Sequence, residues 1–249
     1  MARVAMPADE AVGRLDVRAG RRQLVLDALG MSLSAAAFGL VYGVAARTAG
    51  FSVGEALAMS VFVLAGASQF AAVGLVAQGV VLPAIILLTA LLNARHLLYS
   101  AALLPYLRGR RWYERAAAAH VLTDETFGLA IAHFRRIGGA DFAGYWIGAA
   151  FVSLPWIAAT IIGVGFADAI PDPASFGLDI VFPAAMAGLL VGLVTGRPEL
   201  AAALSGGLIT IAVALVSQPA VGVVAGGLLG PVVGLAVARF GRPGMDPPT

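Results

Sequence analysis

The sequence predicts an all-α polytopic membrane protein of seven to eight hydrophobic helical segments, and three observations carry that prediction. Of its 249 residues, 60% are hydrophobic and only 12% are charged, about half the charged share of a soluble domain (~25%). Several apolar runs approach or exceed the ~20 residues that a helix needs to cross a bilayer. The 31 glycines are spread through those runs, as closely packed membrane helices require.

The chain divides into a polar N-terminal tail (residues 1–22), a single helical transmembrane domain (23–241) and a short C-terminal tail (242–249). Arg3, Arg14, Arg18, Arg21 and Arg22 in the first tail place it in the cytoplasm by the positive-inside rule. The apolar run that follows, Leu24–Ala46, is too long for the core of a signal peptide and becomes the first span, running inside to outside. The second block, Gly54–Val80, carries the small and amide-bearing stretch GASQFAA at its midpoint. Ser68 and Gln69 there are read either as ordinary contacts between helices or as a break, with Ser68 capping a second half-helix.

The third block, Val81–Leu104, leads into the arginines Arg108, Arg110, Arg111 and Arg115. The fourth, Ala116–Phe134, is interrupted by Thr123, Asp124, Glu125 and Thr126. Four consecutive polar residues on an unbroken helix point in directions ~100° apart, so one would face lipid. A break capped by Thr123 or Asp124 gathers them beside a cavity instead. If every block crosses once, the four-arginine loop lies outside, against the positive-inside rule; if blocks two and four are re-entrant, all basic clusters fall inside. Both models stand at this level. Phe142–Phe166, Leu178–Val194, Leu200–Ser217 and Val221–Phe240 supply the remaining segments, with the C-terminus inside. The stretches Val61–Val76 and Ile180–Val194 share a pattern of small and bulky residues, readable as a repeat or as chance likeness in Gly, Ala, Leu and Val.

The third block also holds the polar residues on which a function would turn. Asn93, Arg95, His96, Tyr99 and Ser100 fall within ~160° of one helical face. A charge at the centre of a membrane helix costs roughly 2.5–3.5 kcal/mol on insertion scales, so such groups face a protein interior or a water-filled cavity. Asn93, Arg95, His96 and Tyr99 from this face, with Ser68, Gln69, Thr123, Asp124 and Glu125, are the candidates for a transport path. Arg95 and Gln69 suit the acidic end of a zwitterionic solute, Asp124 or Glu125 its amino end, and His96 a proton step. The competing reading is that Arg95 pairs with Asp124 or Glu125 to hold helices together.

Other chemistry finds little footing. There are no cysteines, which removes disulfides and thiolate chemistry together. All basic residues but the histidines are arginines, and no basic cluster is interleaved with aromatics as nucleic-acid binding needs. His96, His120 and His133 lack metal-ligand spacing, with His120 and His133 expected at the membrane interface, and no metal or cofactor is predicted. Ser68 with His96 is formally available to an intramembrane hydrolase, without the GxSxG context of a nucleophile elbow. No GxxxxGK[ST] loop is present, so a transporter would draw on an ion or proton gradient.

GASQFAA at Gly66–Ala72, LLNARHLLYSAALLPYLRG at Leu91–Gly109 and LTDETFGLA at Leu122–Ala130, in that order, resemble the AzlC family of branched-chain amino acid permeases. DIVFPAAMAGLLVGL and RPELAAAL further on resemble the same family's C-terminal half. The resemblance implies the large subunit of a two-component exporter in the bacterial cytoplasmic membrane, working with a small AzlD-like membrane protein. Valine, leucine, isoleucine and sometimes methionine are the implied solutes, and a homo-oligomer is left open.

Overall fold

The computed structural model describes residues 8–169, 187, 188, 190, 191 and 194–240, with side chains from residue 17 onward in the first stretch and up to 167 there. The described residues form helices and no strand. Five helical stretches are long and apolar enough to cross a membrane: Val17–Thr48, Leu82–Leu107, Phe142–Ala167, Arg197–Val216 and Pro219–Phe240. Two shorter apolar helices, Val53–Val63 and Gly66–Ala77, accompany them. The expected segment Leu178–Val194 lies largely outside the described residues, and with it the proposed echo of Val61–Val76.

Two long helices, α1 (Ala8–Thr48) and α8 (Phe142–Ala169), form the spine. They run parallel, because their contacts advance together. Arg21 meets Asp141, Ser32 donates to the Phe151 carbonyl, and Gly39 lies on Trp156. The approach is close enough that a Cβ on Gly39 would stand 2.6 Å from the Trp156 carbonyl oxygen. Small residues at such crossings let backbones meet where no hydrophobic effect drives helices together.

Block two folds back on itself as two short helices. Its first half, α2 (Val53–Ala58), continues through a wider π-helical turn at Met59–Val63. The chain then reverses at Leu64, whose φ of 44° lies in the left-handed region that L side chains rarely adopt. The second half, α3 (Gly66–Ala77), returns toward its starting level. Ala56 on the way in and Val73 on the way out share one core cluster with Ala45 and Ala46, near the end of α1.

Block three is long and apolar enough to cross a membrane, but it is not one straight helix. It comprises α4 (Leu82–Asn93), a turn at Ala94, α5 (Arg95–Leu103) and a 3-10 turn at Leu104–Leu107. The Ala94 and Leu97 amides bond to carbonyls three residues back, where a helix would use four. The single polar face expected of a continuous helix is therefore bent at its centre.

Block four reverses as well. Arg110 places its guanidinium 4.4 Å above the Phe142 ring, at the start of α8. From there α6 (Trp112–His120) enters, Tyr145 donating its hydroxyl to the Ala118 carbonyl. After a break, α7 (Asp124–Ile137) descends to Gly20 on α1, where Gly138 ends it at φ 68°. The loop carrying Arg108, Arg110 and Arg111 thus lies at the same end as Arg21, Arg135 and Arg136. Two hairpins enter from opposite ends, and the His120 ring nitrogen sits 2.9 Å from the Val61 carbonyl where they meet.

The last pair, α9 (Arg197–Val216) and α10 (Pro219–Phe240), is antiparallel and seamed by Gly206, Gly222, Gly226, Gly230 and Gly234. It rests on α4 through Leu88 and Gly227.

An ionic knot ties α1, α7 and α8 together at the arginine end. Arg21 donates twice to Asp141, at 2.6 and 2.7 Å, and His133 lies 2.9 Å from the same carboxylate. His133 is fully buried within this knot, whereas His120 sits at the hairpin break. Burial alone would raise the proton affinity of Asp141, but bonds from Arg21, His133 and the Gly144 amide hold its carboxyl well below the usual carboxylate range. Arg136 and Asp27 add a second pair at 2.8 Å.

Candidate functional site

The tips of the two hairpins close on a cavity of about 110 Å³ midway along α1 and α8. A volume of that kind holds several waters or one small solute. Ser34 and Phe38 of α1, Gly66, Ala67 and Phe70 of α3, and Val152, Ser153 and Trp156 of α8 form much of its wall. Arg95, His96, Thr123, Asp124 and Glu125 complete it.

Helix breaks make this site possible. Reversal at Leu64 starts α3 at the cavity, so Gly66 and Ala67 line it and the positive end of a helix dipole lies there. Gly66 is required there because a Cβ would stand 2.8 Å from the Trp156 ring. That ring stacks on Tyr42 and meets Phe70 edge-on, while its indole N–H donates to Ser60. On the other hairpin, Thr123 has extended backbone and its hydroxyl accepts from the Thr126 amide, an N-cap that starts α7 at Asp124.

The charges are arranged in a short chain. Arg95 Nη2 lies 2.8 Å from Asp124 Oδ2, and the Tyr99 hydroxyl donates to Asp124 Oδ1 at 2.7 Å. Tyr99 is fixed by stacking on Phe127, ring centroids 4.4 Å apart. Glu125 Oε2 receives the Thr123 hydroxyl at 2.9 Å and has no cation beside it among the described residues. His96 Nδ1 lies 3.0 Å from the Asn93 carbonyl left open by the bend. At the cavity and the bend beneath it, Arg95 Nε, Asn93 Oδ1 and Ser153 Oγ are buried without a hydrogen-bond partner.

Of the nine sequence candidates, Arg95, His96, Thr123, Asp124 and Glu125 gather on this wall, Tyr99 buttresses it, and Asn93 forms the bend beneath it. Ser68 and Gln69 stand apart. Ser68 lies inside α3 rather than at its cap, and its hydroxyl donates to the Ala65 carbonyl. Gln69 donates to Ser60, which also meets Thr160 at 3.0 Å in a buried polar knot behind Trp156. Ser68 and His96 share no hydrogen bond, so a serine–base pair is not assembled here. Sequence reasoning missed Ser34, Ser153 and the aromatic wall of Phe38, Phe70 and Trp156. A lone serine in an apolar helix was the available signal for Ser34 and Ser153.

Replacing Thr123 by alanine is expected to cost about 1 kcal/mol through loss of the cap. Thr123→Ser should restore most of the lost melting temperature, which circular dichroism in detergent would read.

The match to known proteins covers this same region. Residues 30–170 fit the model of the AzlC protein family. The chain belongs to the AzlC family. An uncharacterized membrane protein of Archaeoglobus fulgidus is 32% identical over 77% of this chain and 84% of its own length. One of Helicobacter pylori J99 is 35% identical over 36% of this chain and 40% of its own. Inner membrane protein YgaZ of Escherichia coli K12 is 32% identical over 55% of this chain and 57% of its own. No solved structure matches. The AzlC match spans both hairpins, all of α8 and the part of α1 that lines the cavity, so the cavity is formed by the part of the chain on which membership rests.

Proposed function

We propose that this AzlC-family membrane protein is a secondary transporter that exports small apolar amino acids: valine, leucine, isoleucine and methionine. In this reading it acts with a small AzlD-like subunit in the bacterial cytoplasmic membrane, with its N-terminal tail and arginine end inside. One observation carries the proposal: a cavity at mid-depth between two hairpin tips offers both signs of charge beside an aromatic wall. A zwitterion fits that combination. Its carboxylate takes the Gly66 and Ala67 amides and Arg95 Nε, its ammonium takes Glu125, and its side chain lies on Phe38, Phe70 and Trp156. Broken helices at the midplane are a recurring way of exposing such groups in transporters.

A second reading has one observation in its favour. Arg95 and Asp124 already neutralise each other, as a purely helix-holding pair would. Inside-out vesicles carrying the protein and its partner separate the two. Export predicts accumulation of labelled valine or leucine, reduced about tenfold or more by Arg95→Ala, the ~1.4 kcal/mol expected when one charge-assisted bond is lost. Unaltered uptake in Arg95→Ala and Asp124→Asn would remove these residues from the path. A complex that binds no amino acid, and is merely destabilised by both changes, would establish the helix-holding reading.

A further inference from the structure

At the arginine end, the acids with described side chains are already engaged. Asp27 is taken by Arg136, Asp141 by Arg21, and Glu114 faces Arg110 at 3.8 Å. Arg108 and Arg115 are exposed and have no acidic partner among the described residues. Arg111 meets the hydroxyl and ring of Tyr113. Trp112 is 75% exposed beside them, as aromatic residues at a bilayer interface are.

Next to these arginines a crevice of about 320 Å³ opens between α5, its 3-10 extension and α6. Leu103, Leu107, Ala118, Leu122 and Tyr145 close its floor and belong to one buried cluster. Its rim is open, because Leu104, Ala116 and Ala119 are exposed. The crevice follows α6 from Trp112 toward His120, about 13 Å for a helix of this length, which is close to the ~15 Å of hydrocarbon in one leaflet. Among the lining residues Arg115 alone is charged, and it stands toward the arginine end with Trp112. A helix of that length, 10–12 Å across, displaces roughly 1,000 Å³ and is too large for the space, whereas a single hydrocarbon chain is not. A free anion would satisfy the arginines and leave the crevice empty; a neutral lipid would fill the crevice and leave the arginines without a counter-charge.

We propose that this crevice binds one anionic phospholipid, an acyl chain lying between α5 and α6 and the phosphodiester held by Arg115 within the field of Arg108 and Arg111. Arginine suits the phosphate because its N–H groups make charge-assisted bonds to the oxygens. The bound lipid joins α5, which begins at Arg95, to α6, which leads to Asp124, so it braces both residues of the pair at the cavity.

Native mass spectrometry of the purified full chain in detergent tests this, with phosphatidylglycerol and phosphatidylcholine of identical acyl chains as probes. One phosphatidylglycerol should be held at least tenfold more tightly than phosphatidylcholine. Arg115→Gln should reduce that preference about fivefold, as loss of one arginine beside an anionic headgroup predicts. Phosphatidylglycerol with a photoactivatable acyl chain should label residues 103–107 and 116–122. Ala119→Leu, which changes no charge and fills the crevice from an exposed position, should abolish that labelling, and Ala116→Leu serves if the first variant does not fold. Equal retention of the two lipids, or a preference unmoved by Arg115→Gln combined with Arg108→Gln, overturns the proposal. Displacement of the lipid by soluble glycerol phosphate at equal concentration shows an anion site that does not use the crevice, and overturns it too. Labelling that persists in both alanine variants, or cross-links between two copies through position 119 in place of lipid, has the same force.

Discussion

Asp141→Ala is expected to lower the stability of the folded protein by about 3 kcal/mol, the cost of leaving a buried pair half made. The figure sits at the low end of the range because Arg21 is 37% exposed and recovers water when its partner is removed. His133 has no such escape, being fully buried. The same carboxylate gives the protein an acid limit. Its folded-state proton affinity is depressed, so its contribution is present above the ordinary aspartate value near 3.9 and is lost as pH falls from there toward the folded value. Melting curves in detergent between about pH 3 and 7 should show the wild type losing stability at the acid end. Asp141→Asn should be weaker near neutrality and flatter toward acid.

Gly43→Leu is the second large effect. A Cβ on Gly43 would run into the Thr160 carbonyl oxygen and stand 2.8 Å from the Val164 amide. Both are backbone atoms of α8 that cannot swing aside. Overpacking a core with a movable side chain costs typically 1–3 kcal/mol, so a rigid obstacle of this kind should exceed that and separate α1 from α8. The expected result is loss of the monodisperse peak in size-exclusion chromatography. Gly207→Ala provides the contrast, because nothing lies within 4 Å of its Cβ position. Alanine there should leave the peak unchanged and raise the melting temperature slightly, through helix propensity worth up to ~1 kcal/mol. A wild-type profile for Gly43→Leu would show that the parallel pair is not the spine of the fold.

Much of this architecture was legible in the chain because hydrocarbon punishes mistakes. The TDET run pointed to a break, since an unbroken helix would have turned one of those side chains to lipid, and Thr123 or Asp124 was readable as its cap. The misplaced arginines at 108, 110 and 111 were an equally physical sign, and hairpins that reverse bring them back to the end where Arg21 lies. Other features had no local signature. The bend at Ala94 is set by packing, and its residues read as ordinary helix. Which face of α3 meets the cavity depends on the reversal at Leu64, and that placed Ser68 and Gln69 away from the site while bringing Gly66 to it. Ser153 became visible only when parallel pairing of α1 and α8 set it opposite the hairpin tips.

The order of the elements has one more implication. A crossing helix followed by a hairpin occurs as α1 with α2 and α3, and again, upside down, as α4 and α5 with α6 and α7. The two tips that meet at the cavity are thus delivered from opposite ends of the molecule and differ in chemistry, one opening with the start of a helix and one carrying carboxylates.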